Sequence, residues 1–127
     1  MTVFKPNDPS LAKHLTDPAA LLIACFCAAW CDTCTLYQDR FEQLAKEQPQ
    51  YTFVWIDIED HPTLLGDEDI ENFPTILVEK NDQALFFGTM LPHIQQLDRL
   101  LTSLADNPDA QAVDTALDPV RLALLGQ

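Results

Sequence analysis

The run "AALLIACFCAAWCDTCTLYQDRFEQLAKEQ", residues 19–48, decides the fold. Residues 19–26 are apolar without a break, the pattern of a strand buried on both faces. From Cys34 onward, Tyr37, Phe41, Leu44 and Ala45 recur at helical spacing with charged residues between them, and Pro49 ends the run. Between strand and helix stand Cys31 and Cys34, separated by Asp32 and Thr33. All four cysteines of the chain fall within residues 25–34. A stabilising framework spreads its cysteines to close long loops, so this cluster points to chemistry or metal rather than to stapling.

Working outward, residues 10–16 predict a short helix, capped by Asp8 or Ser10, with Leu11 and Leu15 one turn apart. "YTFVWIDI", residues 51–58, is rich in β-branched and aromatic side chains and reads as a strand. Residues 59–73 are acidic and broken, a loop region with one or two helical turns. "TILVEK" (75–80) and "QALFFG" (83–88) form strands joined by the tight turn Asn81-Asp82. Residues 91–105 predict a helix with Pro92 near its first turn and Ile94, Leu97, Leu101 and Leu104 inward. Beyond Asp106 the composition shifts, and residues 106–127 read as an extension, a short helix or a frayed tail, with Asp118 as a cap and Pro119 in the first turn. The order gives an α/β fold with a central mixed sheet and helices on both faces.

A cysteine at the start of a helix meets unpaired N–H groups and the positive end of the helix dipole, both of which favour a thiolate. The two-residue gap brings the second sulfur within bonding reach of the first, about one turn on. Cys31 is therefore the exposed attacking thiolate and Cys34 the deeper resolving one. Asp32 favours the helix start but opposes negative charge at Cys31. Trp30 offers a flat apolar wall beside the sulfurs. Cys25 and Cys27 share one face of the apolar strand and read chiefly as core packing, with an added redox role for Cys27 as the alternative. Holding a zinc ion on all four thiolates is a further alternative, but a second Cys-x2-Cys is missing and two of the four sit on a core strand. No metal ion is expected. His14, His61 and His93 are scattered and receive no role.

A second stretch joins the first: Phe73-Pro74-Thr75 leads into an apolar strand 40 positions after Cys34. Together, Trp-Cys-x-x-Cys after a core strand and Phe-Pro-Thr entering the next one resemble the thioredoxin family, over about residues 10–105. Gly88 and the helix over 91–105 fit the same pattern. The resemblance implies a thioredoxin-like fold, a 1–105 domain and a Pro74 whose preceding peptide is cis. It also implies a substrate-binding rim of Trp30, Asp32, Thr33, Phe73, Pro74 and Thr75 around Cys31 and Cys34. Thioredoxins usually carry Gly-Pro between the cysteines, where this chain has Asp32-Thr33. The family's buried aspartate and neighbouring lysine correspond here to Cys25 and Trp55, which leaves Asp57 or water to handle protons at Cys34.

With 20 acidic against 7 basic residues, the net charge is −13, so nucleic acid and anionic membranes are excluded as partners. The longest apolar run, 19–31, is shorter than the roughly 20 residues of a membrane span. The N-terminal "MTVFKPNDPS" lacks the pattern of a secretory signal, and a soluble cytoplasmic protein is expected. The expected function is thiol–disulfide oxidoreductase. Its partners are disulfide-containing proteins together with a reductase or small thiol as electron source, and no bound cofactor is required. The alternative is a protein-binding or chaperone-like adaptor that uses the Pro74 edge with little redox turnover.

Overall fold

The computed structural model describes residues 3–6, 8–17, 19–28, 31–61, 64, 74–90, 94–106, 112–113 and 119–125. Trp30, Phe73, Pro92, His93, the acidic stretch 66–72 and Asp118, each singled out by sequence, lie outside the described residues. In chain order the elements are β1 (Val3–Phe4), α1 (Leu11–His14), β2 (Leu22–Cys27), α2 (Asp32–Glu47), β3 (Thr52–Asp57), β4 (Thr75–Lys80), β5 (Gln83–Thr89), α3 (Ile94–Asp106) and α4 (Val120–Leu125).

One five-stranded sheet runs in the order β1-β3-β2-β4-β5. β1, β3 and β2 are parallel, while β4 is antiparallel to both β2 and β5. β2 lies at the centre, which is why its six residues are all buried and its sequence is apolar without alternation. Strand geometry sends successive side chains to opposite faces. Ile23, Cys25 and Cys27 join one core with Tyr37, Phe41, Leu44 and Ala45 of α2 and Leu97 and Leu101 of α3. Leu22, Ala24 and Phe26 join a second core with Leu11 and Leu15 of the α1 segment and Val120 and Leu124 of α4. Helices therefore cover both faces, as the sequence order implies.

The β4–β5 turn falls on Asn81 and Asp82, whose φ values are +54° and +61°. Two left-handed residues in succession match the right-handed twist of the flanking strands, and Asn and Asp tolerate that conformation. One feature departs from the sequence reading. β1 is an added edge strand of only two residues, too short to leave a periodic signature. Residues 120–125 of the expected extension form a helix seated in the second core, with Val120 0 % and Leu124 5 % exposed.

Candidate functional site

The chain leaves β2 at Cys27 and enters α2 at Asp32, so the cysteine stretch sits at the carboxyl end of a central parallel strand. Open α/β sheets place their sites there, because the loops at that end converge above the sheet. Cys31 is the N-cap of α2, with extended backbone (φ −89°, ψ 116°). Its N–H donates to the Ala28 carbonyl at 3.0 Å, and its own carbonyl accepts the Thr35 N–H at 3.2 Å. The Cys31 side chain is half-buried, whereas Cys34, facing the sheet from the first turn of the helix, is 2 % exposed. Asp32 and Thr33 lie between them, exposed and half-buried respectively.

The bond expected between Cys31 and Cys34 is not the one this structure holds. Cys34 is joined to Cys27 by a disulfide with a Cα–Cα separation of 5.9 Å, and Cys31 is a free thiol. Cys27 is the last residue of β2 and projects toward α2, and the inward face of the first helical turn delivers Cys34 directly over it. Cys27 is therefore the bonded partner of Cys34 and not chiefly a packing residue. The other strand cysteine, Cys25, is a free and fully buried thiol whose sulfur lies 3.7 Å from that of Cys27. Burial pushes the Cys25 thiol well above its ordinary pKa, because desolvation disfavours the thiolate. A strand period of two puts residues 25 and 27 on one face. That α2 covers this face, and so brings Cys34 over Cys27, is decided by the packing of the core.

Pro74 and Thr75 reach the same place from across the sheet. Thr75 pairs with Phe26 in the antiparallel β2–β4 ladder, so Pro74, one residue earlier, sits at the end of β2 from which Cys27 projects. Pro74 is buried and its carbonyl accepts the Met90 N–H at 3.1 Å. Thr75 is 3 % exposed, with its hydroxyl 3.5 Å from that of Thr89. Pro74 thus lies beside the end of β2 that carries the Cys27–Cys34 bond, whereas Thr75, opposite Phe26, is one residue further along the ladder.

Cys25 and Trp55 are register partners across β2 and β3, as are Cys27 and Asp57. The positions matched to the family's aspartate and lysine are therefore adjacent, but neither side chain carries charge for a proton relay. A cavity of about 270 Å³ reaches Cys34 from the β3 side, with Trp55, Asp57 and His61 among its walls. One Asp57 oxygen accepts the Glu59 N–H at 2.9 Å. Deeper in the core, Tyr37 is 1 % exposed and its hydroxyl has no hydrogen-bond partner among the described residues. Burial, with Cys25 adding to it, pushes this phenol above its ordinary range. No helix among the described residues is long and apolar enough to cross a membrane.

Known proteins resemble this chain in sequence and in fold. The chain is 28 % identical over 89 residues to thioredoxin H4-1 of Oryza sativa subsp. japonica, covering 68 % of this chain and 66 % of that protein. It is 26 % identical over 106 residues to the mitochondrial thioredoxin of Mus musculus, covering 82 % and 64 %. The chain thus spans slightly less than two thirds of the length of these curated relatives. Among solved structures, a poplar thioredoxin h superposes with a TM-score of 0.71 at 18 % identity, covering 84 % of this chain and 99 % of that one. The thioredoxin of Trypanosoma brucei brucei gives 0.69 at 18 %, covering 84 % and 93 %, and both likenesses speak to the fold. The thioredoxin family model matches residues 2–103, which takes in the sheet, both cysteine pairs and the Phe-Pro-Thr entry to β4, and so the chain belongs to the thioredoxin family.

Proposed function

We propose that this protein is a thiol–disulfide oxidoreductase that reduces disulfides in partner proteins. One observation carries the reading: a half-buried free thiol, Cys31, caps α2 three residues before a buried cysteine, Cys34, that is itself able to form a disulfide. The Cys31 thiolate attacks a partner disulfide, one partner sulfur leaves as thiolate, and a mixed disulfide forms. Cys34 then attacks the Cys31 sulfur, the second partner sulfur leaves, and a Cys31–Cys34 bond closes. Two electrons pass to the partner, and each departing thiolate takes a proton from solvent. Trp30, Asp32, Thr33, Phe73, Pro74 and Thr75 form the rim against which the partner backbone lies, with a cis peptide before Pro74. Electrons return from a reductase or a small thiol. A reductase source is supported by a structurally similar thioredoxin f2 (TM-score 0.69, 13 % identity) solved in complex with ferredoxin:thioredoxin reductase. A reductive direction suits a cytoplasmic setting.

Reduction of insulin by a thiol donor tests this. Cys31→Ser should lower the rate at least 100-fold, and Cys34→Ser should accumulate a covalent adduct between Cys31 and the substrate, visible on a non-reducing gel. Turnover within twofold of wild type in Cys31→Ser would overturn the reading in favour of the adaptor.

A further inference from the structure

We propose that Cys27 is a second resolving cysteine, which takes Cys34 from Cys31 so that the oxidised chain rests as a buried Cys27–Cys34 disulfide with Cys31 free. The inference rests on the proposed function in taking Cys31–Cys34 as the first oxidised product. Its basis is that Cys34 is shared. Cys34 lies three residues from Cys31 in one helical turn, yet the bond it carries goes to Cys27 at the end of β2. Both bonded sulfurs belong to residues at most 2 % exposed, and Cys31 packs against the same cluster from its edge. Cys25, Cys27 and Cys34 are thus linked sulfur to sulfur within the core, and half-buried Cys31 packs at its edge.

The exchange balances without an external oxidant. The Cys27 thiolate attacks the Cys34 sulfur, the Cys34–Cys31 bond breaks, and Cys31 leaves as thiolate. One S–S bond forms and one breaks. The proton lost by Cys27 passes to solvent, and Cys31 takes one back. Cys25 is placed to assist as a positioning residue. Its thiol stays protonated in the core and lies 3.7 Å from the Cys27 sulfur, where an S–H donor stabilises a thiolate. After exchange, the oxidising equivalents are buried under α2 while the surface thiol is restored. A protein reductant cannot reach the bonded sulfurs, so re-reduction starts when Cys31 attacks Cys34 and regenerates the surface pair.

The reduced full chain, oxidised with one equivalent of dithiodipyridine and quenched at intervals with N-ethylmaleimide, tests the exchange. Cleavage after Phe26 and Trp30 and before Asp32 places all four cysteines on separate peptides for mass spectrometry. The expected result is an early Cys31–Cys34 pair replaced by Cys27–Cys34 in a first-order step independent of protein concentration, with maleimide then on Cys31. In Cys31→Ser, Cys27–Cys34 should form at least tenfold more slowly, and in Cys25→Ala the pH profile of the exchange should move upward. Persistence of Cys31–Cys34 to equilibrium with maleimide on Cys27 overturns the exchange and leaves the proposed function standing. Equal rates of Cys27–Cys34 formation with and without Cys31 also overturn it. Failure to form Cys31–Cys34 at any time in wild type sinks both readings.

Discussion

Tyr37 shows how a single residue at this site can work against the fold. It is one of the largest fully buried side chains, it stacks near Phe41 at a centroid distance of 6.1 Å, and its hydroxyl has no partner among the described residues. A buried hydroxyl without a hydrogen bond costs about 1–3 kcal/mol. Tyr37→Phe keeps the ring and removes that cost, so it should stabilise the protein by about 1 kcal/mol, read as a higher urea midpoint with unchanged slope. A loss of stability would show that the hydroxyl is paired. Cys25 is the contrasting case, since a thiol is a weak donor that tolerates burial, and its value to the site lies in remaining protonated beside Cys27.

At the scale of elements, α4 is held by the sheet's only buried carboxylate among the described residues. Glu79 in β4 is 3 % exposed and accepts the Val120 and Arg121 N–H groups at 2.8 and 2.9 Å, supplying the cap that α4 needs. Arg121 in turn grips Asp82 in the β4–β5 turn with two bonds, at 2.6 and 3.0 Å, and donates to the Leu15 carbonyl at 2.9 Å. One six-residue helix thus ties together β4, the hairpin turn and the end of the α1 segment. Leu124→Ala, which empties part of that contact, should cost about 2 kcal/mol in urea unfolding. Acid should act on the two carboxylates in opposite senses. Desolvation, partly offset by the two N–H groups of α4, raises the Glu79 carboxyl above 4.5. The folded chain then binds a proton that the unfolded chain has released, and Glu79's contribution to stability grows as pH falls from neutrality toward 4.5. Asp82, lowered by its hydrogen bonds to Arg121, contributes stability that is present above its unfolded value of 3.8 and is lost below that as pH falls through its folded value. Comparing wild type with Glu79→Gln, the difference in urea midpoint should therefore move in favour of wild type between pH 7 and pH 5. A difference that moves the other way would mean that the carboxylate form is the one the fold prefers.

Across the whole molecule, the charge of −13 sets which partners approach fastest. A body of that charge attracts basic surfaces and repels acidic ones over about a Debye length, roughly 10 Å at 0.1 M salt. Reduction of a disulfide in a basic peptide should slow as ionic strength rises from 20 to 500 mM, and reduction in an acidic peptide should accelerate. Rates that respond equally to salt for both peptides would place the charge away from the approach to Cys31. The sheet contributes to the site in a similarly collective way. Its mixed order lets parallel β2 deliver the cysteines and antiparallel β4 deliver Pro74 to one end, although these segments are far apart in the chain.

What the sequence determined by itself is local. The unbroken apolar run made β2 a central strand, the spacing of Tyr37, Phe41, Leu44 and Ala45 fixed the buried face of α2, and Asn81-Asp82 fixed the hairpin. Each is set by steric and hydrophobic preferences acting over a few residues. The same local logic located the Cys31–Cys34 turn at a helix start. Tertiary structure alone decided the rest. β1 is two residues long and exists only because β3 offers an edge to pair with. α4 is held by a glutamate about 40 positions earlier, an interaction with no periodic trace in the sequence. The partner of Cys34 was also beyond local reading. Cys31 is near it along the helix and Cys27 is near it across the strand–helix interface, and which sulfur it meets depends on how α2 is seated over the carboxyl end of β2. That seating is fixed by packing both helices, α2 and α3, on one face of the sheet, a choice made by the whole core rather than by any ten residues.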